Sequence, residues 1–224
     1  MLNSKLFFDE MNILRADKDR RYRLALKMKK SIEALFIQQL AQILLGSFLT
    51  AVSSTEYREE LFDIYILMVL ETDKDLASNK EVAAKAKRFA DYIEDTTEKT
   101  YQNAVGNERF ELSRQMGISM LEEDIPDSIS KVLSSERALE IACNEANWIY
   151  NCIQHDNLVK SGQATHTWLS QEDERVRPTH AKADKQTVPI NEPFTVGEYY
   201  LMFPGDDSLG APAKETIMCR CVEV

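Results

Sequence analysis

The sequence predicts an α+β protein: a mostly α-helical N-terminal body followed by a small α+β C-terminal domain with a short β-sheet. Three observations carry that expectation. Only seven Gly and six Pro occur in 224 residues, so turns are scarce and long helices must take up much of the chain. Pro178, Pro189, Pro193, Pro204 and Pro212, together with all three histidines, fall after residue 154, so the chain changes character there. Before that point apolar residues recur at helical spacing; after it they alternate. The expected domains are residues 1–154 and 155–224.

Taken in order, helices are expected at about 4–16, 18–52, 55–72, 79–103, 105–122 and 134–153, with Pro126 in a connector. Leu24, Met28, Ile32 and Leu35 fall on one arc of the second helix, and Leu61, Ile64, Tyr65 and Met68 on one arc of the third, which makes both core-facing. Ser53-x-x-Glu56 and Ser78-x-x-Glu81 have the spacing of reciprocal caps on free helix-start amides. Beyond residue 154, Ala164–Leu169, Glu198–Phe203 and Thr216–Val222 are rich in β-formers and predict three strands. Arg177-Pro178 predicts a short helix running to about Asp184, and Pro204-Gly205-Asp206-Asp207 a turn.

Hydrophobic residues at 44% and charged ones at 29% exclude wholesale disorder. A net charge of −10 excludes a protein that coats nucleic acid, and leaves only a local basic patch for phosphate. Such a patch exists: residues 1–30 hold nine Lys/Arg against four Asp/Glu, and Arg20, Arg23, Lys27 and Lys30 share one helical face. Two readings fit that face, a site for DNA or an acidic partner protein and a plain solvated surface. The most apolar stretch, Ala34–Val52, is interrupted by Gln38, Gln39 and Gln42, so no membrane partner is expected. Without a signal peptide the chain reads as intracellular, with its four cysteines reduced.

Three constellations could carry chemistry, the third being the Asp206-Asp207 turn, which could hold a divalent cation but lacks the carboxylate spacing of a calcium loop and reads first as a plain hydrogen-bonded turn. His180 and Asp184 lie four residues apart on the short helix beside Arg175 and Arg177, which suits an imidazole acid/base oriented by a carboxylate with arginines on phosphate; a structural clamp is the more common role of such a pair. Cys219 and Cys221 would point the same way on a strand and, with His166 and His180, could form a tetrahedral zinc site; buried thiols without metal are the alternative.

In order, Arg137–Ala142, Asn144-Glu145, His166-Thr-Trp168, Asp173-Glu-Arg175-Val-Arg177-Pro-Thr-His180, Asp184, Glu192-Pro-Phe194, Leu201–Asp206, Ala211-Pro212 and Cys219-Arg-Cys221 resemble the C-terminal signature of the phage Mu F-like minor head proteins, also called head morphogenesis proteins. The resemblance covers about residues 134–224. Two positions depart from the family's usual pattern, Lys185 standing where a Gly is common and Met218 where an Asn is common. What the resemblance implies is a minor capsid protein of a tailed phage or prophage, without enzymatic activity. Its implied partners are portal protein, other capsid or scaffold proteins and double-stranded DNA. Its implied place is the head interior or portal vertex, reached from the host cytoplasm. The expected cofactor is none, with zinc as the exception to test; the alternative activity is a nuclease-like enzyme using His180, Asp184, Arg175 and Arg177.

Overall fold

The structure, a computed structural model, describes residues 15–44, 55–73, 79–103 and 125–224. The helix expected at 105–122, nearly all of that at 4–16, and the caps at Ser53 and Ser78 lie outside the described residues. Among the described residues the order is α1 (Arg15–Leu44), α2 (Thr55–Thr72), α3 (Lys80–Asn103), α4 (Asp127–Val132), α5 (Ser135–Lys160), β1 (Thr165–Leu169), α6 (Pro178–Ala183), β2 (Thr187–Pro189), β3 (Phe194–Val196), β4 (Tyr199–Leu201), α7 (Ala213–Thr216) and β5 (Val222–Glu223). The α+β expectation therefore holds. By contacts the chain divides into two compact units, Leu26–Leu139 on one side and Met1–Ala25 with Glu140–Val224 on the other.

The first unit is helical. Met28, Ile32 and Leu35 of α1 are buried, as are Leu61, Tyr65 and Met68 of α2, while Ile64 sits half-buried at the edge of its arc. The Tyr65 and Phe89 rings meet at 5.2 Å, joining α2 to α3. Asn79 caps α3, its Oδ1 accepting the Glu81 N–H at 2.8 Å. At the surface of the same pair of helices Arg58 bonds Glu94 and lies 3.2 Å from Asp91.

The second unit holds all the strands among the described residues. The boundary expected near residue 154 falls inside α5, because nothing between His155 and Lys160 breaks a helix; the helix stops at Gly162, whose φ of +73° suits the left-handed turn that closes it. Clustered Pro and His thus mark a change in composition, not the end of a helix. β1 is the centre of a three-stranded antiparallel sheet of order β2-β1-β5, in which His166 pairs with Val188 and Trp168 with Glu223. β3 and β4 form a separate hairpin around Gly197, where a Cβ would come within 2.9 Å of the Thr179 side chain.

Two expected strands are corrected. Residues 198–203 yield only Tyr199–Leu201, since the chain is turning at Gly197-Glu198 and again after Leu201. Of residues 216–222 only Val222 is in a strand, as the first residue of β5. Pro212 starts the one-turn helix α7 and Met218 adopts φ +55°, which an extended strand excludes, so Cys219-Arg220-Cys221 runs as irregular chain into β5. The core of this unit gathers Trp168, Phe194, Val196, Leu201, Cys219 and Cys221.

Candidate functional site

Alternation along β1 sends His166 and Trp168 into the same interior, and each ring marks one cluster of titratable groups. Around Trp168, α6 delivers His180 and the segment before β5 delivers two sulfurs. His180 Nδ1 is 3.4 Å from Cys221 Sγ and 3.6 Å from Cys219 Sγ. On the far side of the ring, Nε2 lies 3.3 Å from Glu215 Oε2, which also accepts the Thr179 hydroxyl at 2.8 Å. Trp168 stands edge-on to the imidazole at 5.3 Å. His180, Glu215 and both cysteines are buried. A hydrogen bond from Cys221, helped by His180, draws the Cys219 thiol well below the ordinary thiol range, while that same bond to Cys219, together with burial, pushes Cys221 well above it. Cys143, by contrast, is pushed up to about 12 by burial, with a smaller push from the nearby Glu140 charge, and has the character of an inert core thiol.

The second cluster surrounds Glu223. Its Oε1 lies 2.8 Å from both His155 Nδ1 and His166 Nδ1, and its side chain is fully buried. His166 Nε2 is 2.9 Å from the Glu192 carbonyl, which can only accept, so that nitrogen carries a proton. Asn151 braces the cluster from α5 by accepting the Glu223 N–H at 3.2 Å.

Sequence expectation and geometry part here. His166 belongs with His155 and Glu223, so the four-ligand set His166, His180, Cys219 and Cys221 does not assemble; three of its members do. Asp184 does not orient His180. The helix ends at Ala183, Asp184 turns to extended geometry (ψ 133°), and its carboxylate accepts the Ser170 N–H at 2.7 Å. Arg177 donates to the Ile217 carbonyl, and the Arg175 N–H donates to Asp173 at 3.0 Å. Of the set His180, Asp184, Arg175 and Arg177, the Asp184 side chain is thus engaged by Ser170 and that of Arg177 by Ile217. Glu215, His155 and Glu223 were not singled out by sequence: no short-range spacing links residues 35 or more positions apart. On α1, Arg23, Lys27 and Lys30 are exposed, as expected of a polar face. The Arg20 side chain lies outside the described residues, and Arg21 turns inward to donate to Asn147 at 2.6 Å.

Arg220, between the two cysteines, is held by a bidentate pair to Asp173, both bonds at 2.6 Å. That hydrogen-bonded guanidinium keeps the Asp173 carboxyl below its usual range. A depressed folded-state value means the unfolded chain takes up the proton first, so the pair's contribution is present above about pH 4 and lost as pH falls through the folded value. Asp173→Asn should cost about 2–3 kcal/mol at pH 7, because Arg220 is left buried without its carboxylate, and the deficit should shrink at pH 3. Denaturant titrations at the two pH values read both numbers.

Short strands, one-turn helices and inward-facing His, Cys and Glu groups define a class, the small α+β module held by buried polar clusters and joined to a helical segment. Within that class the family model described as Phage Mu protein F like protein matches residues 112–224, half of the chain. The chain belongs to that family and is a phage head morphogenesis protein. No curated protein and no solved structure matches it. Among the described residues no helix is long and apolar enough to cross a membrane.

The two departures from the family pattern now have a backbone meaning. Lys185 (φ +61°) and Met218 (φ +55°) both occupy the left-handed region, where Gly and Asn are the residues that sit with least strain. Met218→Asn should stabilise the protein by about 0.5–1 kcal/mol, raising the thermal midpoint by about 1–4 °C, and a lower midpoint would contradict this account.

Proposed function

We propose that this protein is a minor head protein of a tailed phage or prophage that acts non-enzymatically in head assembly and DNA packaging, bound to portal protein at the portal vertex or head interior. Family membership is the observation that carries this reading. The exposed face of Arg23, Lys27 and Lys30 supports it further, since an outward-facing row of cations suits an acidic surface on portal or another capsid or scaffold protein, or double-stranded DNA. Assembly begins in the host cytoplasm. The Asp184 carboxylate, taken up by the Ser170 N–H, favours binding over phosphate chemistry at His180.

Co-sedimentation with purified portal protein tests the reading, together with the phage yield of a strain lacking the gene. Binding to portal and heads that fail to mature are expected; no co-sedimentation and normally packaged heads would sink the proposal. Reversing all three charges (Arg23→Glu, Lys27→Glu, Lys30→Glu) separates the partners. If DNA is the partner, the slope of log affinity against log salt should drop by about 3; if portal is, portal binding weakens and DNA binding is unchanged.

A further inference from the structure

We propose that His180 Nδ1, Cys219 Sγ and Cys221 Sγ are the protein ligands of one zinc ion, with Glu215 as the carboxylate that orients His180 from its other nitrogen. Donor type comes first: two sulfurs and one imidazole nitrogen form a set that selects zinc over magnesium or calcium. Spacing comes second. With Zn–S near 2.3 Å and Zn–N near 2.0–2.1 Å, a tetrahedral centre has S···N edges of about 3.5–3.6 Å. The observed edges are 3.4 and 3.6 Å.

Convergence is the third argument. Glu215 Oε2 stands 3.3 Å from Nε2 without hydrogen-bond geometry, on the side of the ring away from the sulfurs, so Nδ1 is the nitrogen that faces both thiols. One lone pair accepts one thiol proton well, yet two sulfurs converge on it. A zinc ion replaces both thiol protons: two S–H bonds break, two Zn–S bonds form, and two protons leave to solvent. The product, one dication with two thiolates, is neutral, as suits a site walled by Trp168 and Ala183. Such a centre ties α6 to a segment about forty residues away in sequence, so its role is to staple the C-terminal segment to the module.

The same magnitudes argue against the other trio. Tetrahedral zinc with nitrogen and oxygen ligands needs edges of about 3.3 Å. His155 and His166 both stand at 2.8 Å from one Glu223 oxygen, a hydrogen-bond distance.

Elemental analysis of the full chain, purified without chelators, tests the proposal, together with the absorption spectrum after cobalt(II) replacement. One zinc per chain is expected, with a thiolate-to-cobalt charge-transfer band and tetrahedral ligand-field bands. Cys219→Ser and Cys221→Ser should abolish both. Because those variants could fail to fold, Glu215→Gln provides the second measurement: it keeps every ligand and the side-chain shape, and should weaken zinc affinity about 10–100-fold. His166→Gln should leave zinc content unchanged. Three outcomes would overturn the proposal: folded wild-type protein with zinc far below one per chain, a cobalt spectrum without the charge-transfer band, or metal that survives the cysteine variants and is lost in His166→Gln.

Discussion

Trp168→Ala should be among the most damaging single substitutions in this protein, at about 3–5 kcal/mol. Trp168 has no exposed surface and is the largest fully buried side chain described. Its ring is fixed on two sides by edge-on contacts, to Phe194 at 5.5 Å and to His180 at 5.3 Å. Its backbone is fixed as well, the N–H donating to Gln186 O at 2.9 Å and the carbonyl accepting from Lys185 N at 2.8 Å. Neighbours held this way cannot close around the void, so the cost belongs toward the upper end of the range. At about 2–4 °C per kcal/mol for a chain of this size, the thermal midpoint should fall by about 10 °C. Calorimetry reads the change, and Trp168→Phe, which keeps a ring, should recover more than half of it. A loss below about 1 kcal/mol would mean that the cavity collapses and that the core is not organised around this residue.

Much of this organisation was legible in the sequence because it depends on local spacing. The stripe Leu24, Met28, Ile32, Leu35 is a period of 3.6 written in four residues, and all four are buried. β1 could be read from Thr165 to Leu169 because alternation survives when a strand has one interior face. β2, β3 and β4 are three residues each, shorter than the window over which alternation can be told from chance, and Pro189 within β2 reads as a breaker. The site was half legible. Cys219 and Cys221 announce themselves by spacing and His180 by the motif around it. Glu215 and Glu223 do not, because a glutamate next to a turn looks like any solvated glutamate until the fold buries it. His180 and Asp184 show the converse: spacing of four promised a pair, and one residue of helix end-effect sent the carboxylate to Ser170 instead.

Asn151→Ala should cost about 3–5 kcal/mol, although it removes few atoms from the interior. Asn151 is fully buried on α5. Its Nδ2 lies 3.0 Å from Pro204 O, 3.1 Å from Cys221 O and 3.1 Å from Asn147 O, and its Oδ1 accepts the Glu223 N–H at 3.2 Å. One amide therefore reaches the Pro204 turn and the backbone on both sides of Val222. Alanine strands these groups away from water, at about 1–3 kcal/mol each, partly relieved by relaxation. Asn151→Asp isolates the hydrogen bonds from packing, because size and shape are nearly kept while the donor is lost. A carboxylate would then face three carbonyl oxygens. Burial and those acceptors favour the protonated acid, so the folded form should hold its proton to higher pH than the unfolded chain does. The stability deficit relative to wild type should therefore be small below about pH 4 and grow as pH rises, the opposite of the trend expected for a carboxyl paired with a cation. Unfolding curves for both proteins from pH 4 to pH 8 decide the matter. A deficit for Asn151→Asp that is small and flat across that range would show that this amide is not what ties β5 to α5.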